Sequence, residues 1–139
     1  MIVVDASVVI KCLLPEDGSR EAITLVETQT CIAPDLLIHE CVNALWKNVR
    51  TGRARPQRAV EAIALLEHLD ITLVESRPLA SRALELAMML NHPAYDCFYL
   101  ALAERRGAEL IVVDGTFARK VHAGDVTRAR IRSLRDSDA

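Results

Sequence analysis

The chain has 139 residues, 51% of them hydrophobic and only 4% aromatic, and a formal net charge of −2. That length suits one domain, residues 1–139, with a core built from Ala, Leu, Val and Ile, and the charge excludes a protein that coats nucleic acid nonspecifically, because such affinity comes from neutralising many phosphates. No uninterrupted apolar stretch is long enough to cross a bilayer and no basic segment precedes the N-terminal apolar run, so neither a membrane span nor a signal peptide is expected.

Ile2, Val3 and Val4 form a β-branched run too short for a helix, which predicts a strand buried on both faces as in a parallel sheet. It exits into Asp5. Residues 6–14 continue as an apolar helix closed by Pro15, so Asp5 either caps that helix or stands at the carboxyl end of a strand, where open parallel sheets collect their ligands. A turn over residues 16–18 leads to an amphipathic helix from Ser19 bearing Ala22, Ile23, Leu25 and Val26. Residues 31–33 read as a second strand, and Pro34-Asp35 opens a helix over Leu36–Arg50, with Asp35 placed as N-cap and Gly52 past its end. Glu40 falls within the apolar stripe of that helix, where a carboxylate must be paired or bind a cation.

Pro56 starts the next helix, through Leu66, which forms a helical hairpin with the one before it. Ile71–Val74 is a third strand, and residues 78–90 are helical. From residue 94 to 103 every position except Asp96 is apolar or aromatic, so this helix is expected to be buried nearly all round. Asp96, in its first turn, is either an acid favoured by the helix dipole or a second carboxylate enclosed by Tyr95, Cys97, Tyr99 and Leu100. After Gly107, residues 110–113 form another buried strand, exiting into Asp114-Gly-Thr116. A short helix over residues 117–122 follows, then a last edge strand from Val126 and a polar tail.

Strands alternating with helices predict a three-layer α/β/α fold around a mainly parallel sheet of about five strands. In it Asp5, Glu40, Asp96 and Asp114 can converge at one sheet edge. Four ionised carboxylates repel unless cations neutralise them, and oxygen donors without a His or Cys set favour Mg²⁺ or Mn²⁺. Such sites hydrolyse phosphodiesters. Residues 47–58 carry five basic side chains, among them Lys47, Arg50, Arg53 and Arg55, and no acid. They read as a solvated face or as a track for phosphates. Cys12, Cys31, Cys41 and Cys97 share no C-x-x-C spacing and sit in apolar segments, which predicts buried thiols in a reducing, cytoplasmic setting.

Four stretches, Val4-Asp-Ala-Ser7, Ala33-Pro-Asp-Leu-Leu-Ile-His-Glu40, Tyr95-Asp-Cys-Phe-Tyr-Leu-Ala-Leu-Ala103 and Val113-Asp-Gly-Thr-Phe117, in this order and spacing, resemble the PIN-domain ribonucleases, most closely the VapC toxins of bacterial toxin–antitoxin pairs. The resemblance covers essentially the whole chain. It implies a Mg²⁺- or Mn²⁺-dependent endoribonuclease in which Asp5, Glu40, Asp96 and Asp114 hold the metal and Ser7 supports them; single-stranded or loop RNA is the expected substrate because converging carboxylates suit phosphodiester hydrolysis and an A-form duplex hides its base edges. It also implies a homodimer restrained by a VapB-type antitoxin. Val112 departs from the family pattern, in which many relatives carry Thr, and Thr116 is the candidate substitute. Other readings fit less well. A haloacid-dehalogenase-type phosphatase needs a second Asp where Ser7 stands, a receiver domain needs paired acids at the end of the first strand, and His39-Glu40 lacks the second His of the zinc-protease H-E-x-x-H pattern. The remaining rival is a noncatalytic PIN-like module that binds RNA or protein and leaves its acids unused.

Overall fold

A computed structural model of the protein describes residues 1–134; the polar tail lies outside them. Its sheet is assembled from β1 (Ile2–Val4), β2 (Cys31–Pro34), β3 (Ile71–Val74), β4 (Glu109–Val112) and β5 (Ile131–Ser133) in the order β3-β2-β1-β4-β5. Every pairing is parallel, with Val3 beside Ile32 on one side and Leu110 on the other. The central strands are near-continuous apolar runs because helices cover both sheet faces, and Val3, Val4, Leu110 and Ile111 are wholly buried.

The helices are α1 (Ala6–Leu13), α2 (Ser19–Thr28), α3 (Leu36–Arg50), α4 (Pro56–Leu66), α5 (Ala80–Leu90), α6 (Ala94–Arg106) and α7 (Gly115–Gly124). They pack in two groups: α1 touches α2, α3 and α4, whereas α5 touches α6 and α7. Topology explains the division. The chain steps outward from β1 to β2 to β3, then returns across the sheet to β4 and steps outward again to β5. Right-handed crossovers on opposite sides of β1 deposit their helices on opposite faces. The direction of winding therefore reverses between β1 and β4, and a crevice outside the carboxyl ends of those two strands is where an open α/β sheet offers a site.

Several local expectations are corrected. The last strand begins at Ile131, paired with Leu110, and not at Val126. Val126 and Thr127 are held elsewhere: Arg82 donates to the Val126 carbonyl, and the Thr127 hydroxyl donates to Glu104. Asp35 does not cap α3 with its side chain; its own backbone is already helical, at φ −63° and ψ −15°. The cap comes from across the fold, because the Ser76 hydroxyl accepts from Leu36 N at 3.2 Å while donating to Asp35 Oδ1. Nor is α6 buried all round. Its first turn emerges at the sheet edge, with Tyr95 62% exposed, and burial begins in earnest at Cys97. The helix expected over residues 78–90 opens with a 3₁₀ turn at Arg77–Leu79, and α7 starts earlier than expected because Asp114 caps it.

Candidate functional site

Asp5 follows the last residue of β1 and serves as N-cap of α1. Its Oδ1 accepts from Val8 N at 3.1 Å and from Ser7 Oγ at 2.6 Å, so capping and site readings are compatible: both bonds use one oxygen. The Asp5 carboxyl is pushed up to about 7: burial raises it most, the hydrogen bonds from Ser7 and Val8 oppose that, and the nearby charges of Asp96 and Glu40 add to the rise. Ser7 has a second task. Its oxygen accepts from Val113 N at 3.3 Å, which fastens the exit of β1 to the exit of β4.

Glu40 projects from α3 and accepts at Oε1 from the Tyr99 hydroxyl at 2.6 Å. Burial holds its carboxyl above the usual range, the Tyr99 bond works against that, and the charge of Asp96 adds to it. Asp96, in the first turn of α6, shares a 2.6 Å hydrogen bond between Oδ2 and His92 Nε2. An ionised carboxylate only accepts, so the Nε2 proton belongs to His92 in that state. His92 is itself fixed by ring contact with Phe117, at 4.4 Å between centroids, and by Lys120 Nζ, 3.5 Å from Nδ1. Asp114 caps α7, accepting at Oδ1 from Thr116 N at 2.8 Å and from Thr116 Oγ1 at 2.7 Å. Thr116 therefore orients Asp114 although Val112, inside β4, is buried and apolar.

Asp5, Glu40 and Asp96 thus act on one another as like charges, and Asp114 reaches this group through the Ser7–Val113 bond beside it. Among the described residues no three His, Cys, Asp or Glu side chains are already drawn in closely enough to hold one metal ion. The donor set nevertheless suits a hard divalent cation. It is all oxygen, each of the four carboxylates is oriented by a neighbouring donor, and three share a repulsion that a cation relieves.

A cavity of about 620 Å³ takes in one of these acids, Glu40, and the neighbours of the other three, Ala6, Tyr95 and Val113, with Ser7, Asn43, Lys47 and Arg53 also in its lining. Lys47 and Arg53 belong to it. Arg50 does not line it and lies over the Trp46 ring, 4.9 Å from its centroid, and Arg55 also stays outside, at the N-terminus of α4. Two orienting residues escaped the sequence reading. Tyr99 stood within a run read as apolar, and the signal was its hydroxyl, because a buried Tyr requires a hydrogen-bond partner. His92 lies four residues before Asp96, a spacing that brings side chains together.

Removing the Tyr99 hydroxyl should make the first of these roles visible. Tyr99→Phe leaves Glu40 with one donor fewer, which moves its carboxyl still further above the ordinary value and adds a stability loss that grows as pH rises through that range. The expected cost is about 1 kcal/mol at pH 8 and less at pH 4, read from melting curves; an equal cost at both would show that the bond does not serve the ionised carboxylate.

The sequence model of the PIN domain matches residues 2–123. Ribonuclease VapC3 of Pyrobaculum aerophilum is 34% identical over 125 residues, which span 88% of this chain and 95% of that protein. Among solved structures, PAE2754 from Pyrobaculum aerophilum superposes with a TM-score of 0.71 at 23% identity, covering 98% of this chain and 90% of its own. The sarcin–ricin-loop-cleaving toxin VapC20 of Mycobacterium tuberculosis superposes at 0.67 and 18% identity, covering 86% and 94%, and a toxin–antitoxin complex from Klebsiella pneumoniae at 0.63 and 16%, covering 96% and 98%. A family match across nearly the whole described chain, together with a relative one-third identical over almost its full length, means that this chain belongs to the PIN-domain family.

Proposed function

We propose that the protein is a Mg²⁺- or Mn²⁺-dependent endoribonuclease acting on single-stranded or loop RNA as the toxin of a toxin–antitoxin pair. The observation that carries this reading is the mutual repulsion of Asp5, Glu40 and Asp96 at the point where the sheet reverses its winding. The likeness to a named ribonuclease supports it. Asp5, Glu40 and Asp96, with Asp114, would hold the cation. When bound, such an ion supplies an activated water and stabilises the leaving oxygen of a phosphodiester. The chain's own residues do the positioning: Ser7, Tyr99, His92 and Thr116 each orient one acid, and Lys47 and Arg53 offer positive charge to the RNA backbone in the cavity. Loops and single strands suit this cleft because an A-form duplex keeps its bases stacked and its major groove closed to side chains.

The test is incubation of purified protein with total RNA, in Mn²⁺ or in chelator, beside Asp5→Ala and Asp96→Ala. Cleavage by the wild type alone, and only with metal, is expected; equal cleavage by all three would trace the activity to a contaminant and leave the noncatalytic module. The toxin–antitoxin structures that share the fold support a small antitoxin partner. Exposed Ile23, Val60 and Leu65 on α2 and α4 are candidate surfaces for it or for a homodimer, which light scattering would reveal. Four buried, unbridged cysteines support a reducing, cytoplasmic setting. No helix of the described residues is long and apolar enough to cross a membrane. One continuous core on both faces of the sheet, among the described residues, supports reading the chain, residues 1–139, as one domain.

A further inference from the structure

We infer that Tyr95 is a base-stacking platform, holding one unstacked base of a single-stranded RNA against its ring beside the phosphate that is cut. This rests on the ribonuclease reading above. In α6 the residues from Cys97 to Ala103 turn mainly into the core, but Tyr95 is 62% exposed and immediately precedes Asp96. Leaving an aromatic ring in water forgoes the burial that its size would otherwise contribute.

Tyr95 lines the same cavity as Glu40. Glu40, Asn43 and Lys47 follow one another at helical spacing along a single face of α3, and all three line that cavity together with Arg53 and Tyr95. One wall therefore presents an acid, an amide and cations, and α6 adds an aromatic face. Single-strand binding sites combine these parts: positive charge that follows the backbone, and an aromatic surface on which a base stacks. Because every base has a π-face, stacking on Tyr95 accepts any nucleotide that is already unpaired and rejects one held inside a duplex. The residue accordingly selects strandedness more than sequence, and Asn43 is the neighbouring side chain equipped to read a base edge.

The experiment uses a short single-stranded RNA containing a site that the wild-type protein cuts. kcat/KM is measured for wild type, Tyr95→Phe, Tyr95→Leu and Tyr95→Ala on the intact RNA and on versions with one abasic nucleotide at each position around the cut. Tyr95→Phe should stay within about twofold of wild type, whereas Leu and Ala should lose about tenfold or more, chiefly through KM. One abasic position should cost the wild type a similar factor and cost Tyr95→Ala nothing further, since ring and base are two halves of one contact. The rise in melting temperature with Mn²⁺ should be the same in all four proteins, which separates loss of stacking from damage to the acids. Wild-type rates in the Leu and Ala variants, or abasic losses that multiply with Tyr95→Ala at every position, would overturn the inference while leaving the ribonuclease reading intact. A wild type that cuts no RNA removes both.

Discussion

Replacing Asp5 with Asn should stabilise the metal-free protein at pH 8 and abolish its RNA cleavage at the same time. The carboxyl is raised from 3.8 to about 7, so between those values the folded chain keeps a proton that the unfolded chain releases. Wild-type stability therefore falls as pH rises from about 4 to 7 and levels off above, where the full penalty of an ionised Asp5 is in place. At about 1.4 kcal/mol per pH unit the shift corresponds to about 4 kcal/mol as an upper bound. Residual solvent exposure and the desolvation of the asparagine amide reduce the expected gain to about 2 kcal/mol, or roughly 6–8 °C in melting temperature. Asparagine keeps the Oδ1 acceptor for Ser7 and Val8, so the α1 cap survives. Melting curves of both proteins in chelator from pH 4 to pH 9 give the answer. The gap should open only across the titration window; a gap independent of pH, or a variant less stable at pH 8, would mean that Asp5 is a cap and no more.

The second large effect concerns the cation. Binding to carboxylates requires that they be ionised, and Asp5 and Glu40 both hold their protons above the usual range. With Mn²⁺ at about 100 times its dissociation constant at pH 8, the folded state gains about 2.7 kcal/mol. At pH 5.5 Asp5 alone lies about 1.5 units below its midpoint, which weakens binding roughly thirtyfold and leaves about 0.8 kcal/mol. Glu40 lowers this further. The Mn²⁺-induced rise in melting temperature should accordingly be large at pH 8, small at pH 5.5, reversed by chelator and largely absent in Asp5→Asn. A rise equal at both pH values would place the ion on groups that do not titrate there, and no rise at all would remove the metal from the proposed function.

Much of the architecture was legible in the chain because it rests on local rules. The β-branched runs ahead of Asp5 and Asp114 could only be buried strands, Pro56 and Gly107 mark helix ends in the structure as in the sequence, and the apolar faces follow helical spacing. The errors came where a long-range partner outweighed local preference. Asp35 has the chemistry of an N-cap, yet Ser76, on a segment 41 residues away, takes both its carboxylate and the first amide of α3. Val126 and Thr127 have the composition of a strand, yet Arg82 and Glu104 claim them.

The same division runs through the candidate site. The sequence by itself singled out which side chains are candidates for the chemistry, since an acid at a strand exit or within an apolar helix face stands out against its neighbours without any knowledge of the fold. Only the tertiary structure decided how those acids are placed relative to one another. Nothing local specifies that β4 lies beside β1 with β2 on the other flank, because parallel strand order is set by crossovers and by packing between distant segments. That order creates the reversal at which Asp5 and Asp114 emerge, lets Ser7 tie the two strand exits together, brings the Tyr99 hydroxyl to Glu40 across 59 residues, and, within the basic run, leaves Lys47 and Arg53 but not Arg50 and Arg55 in the lining of the cleft.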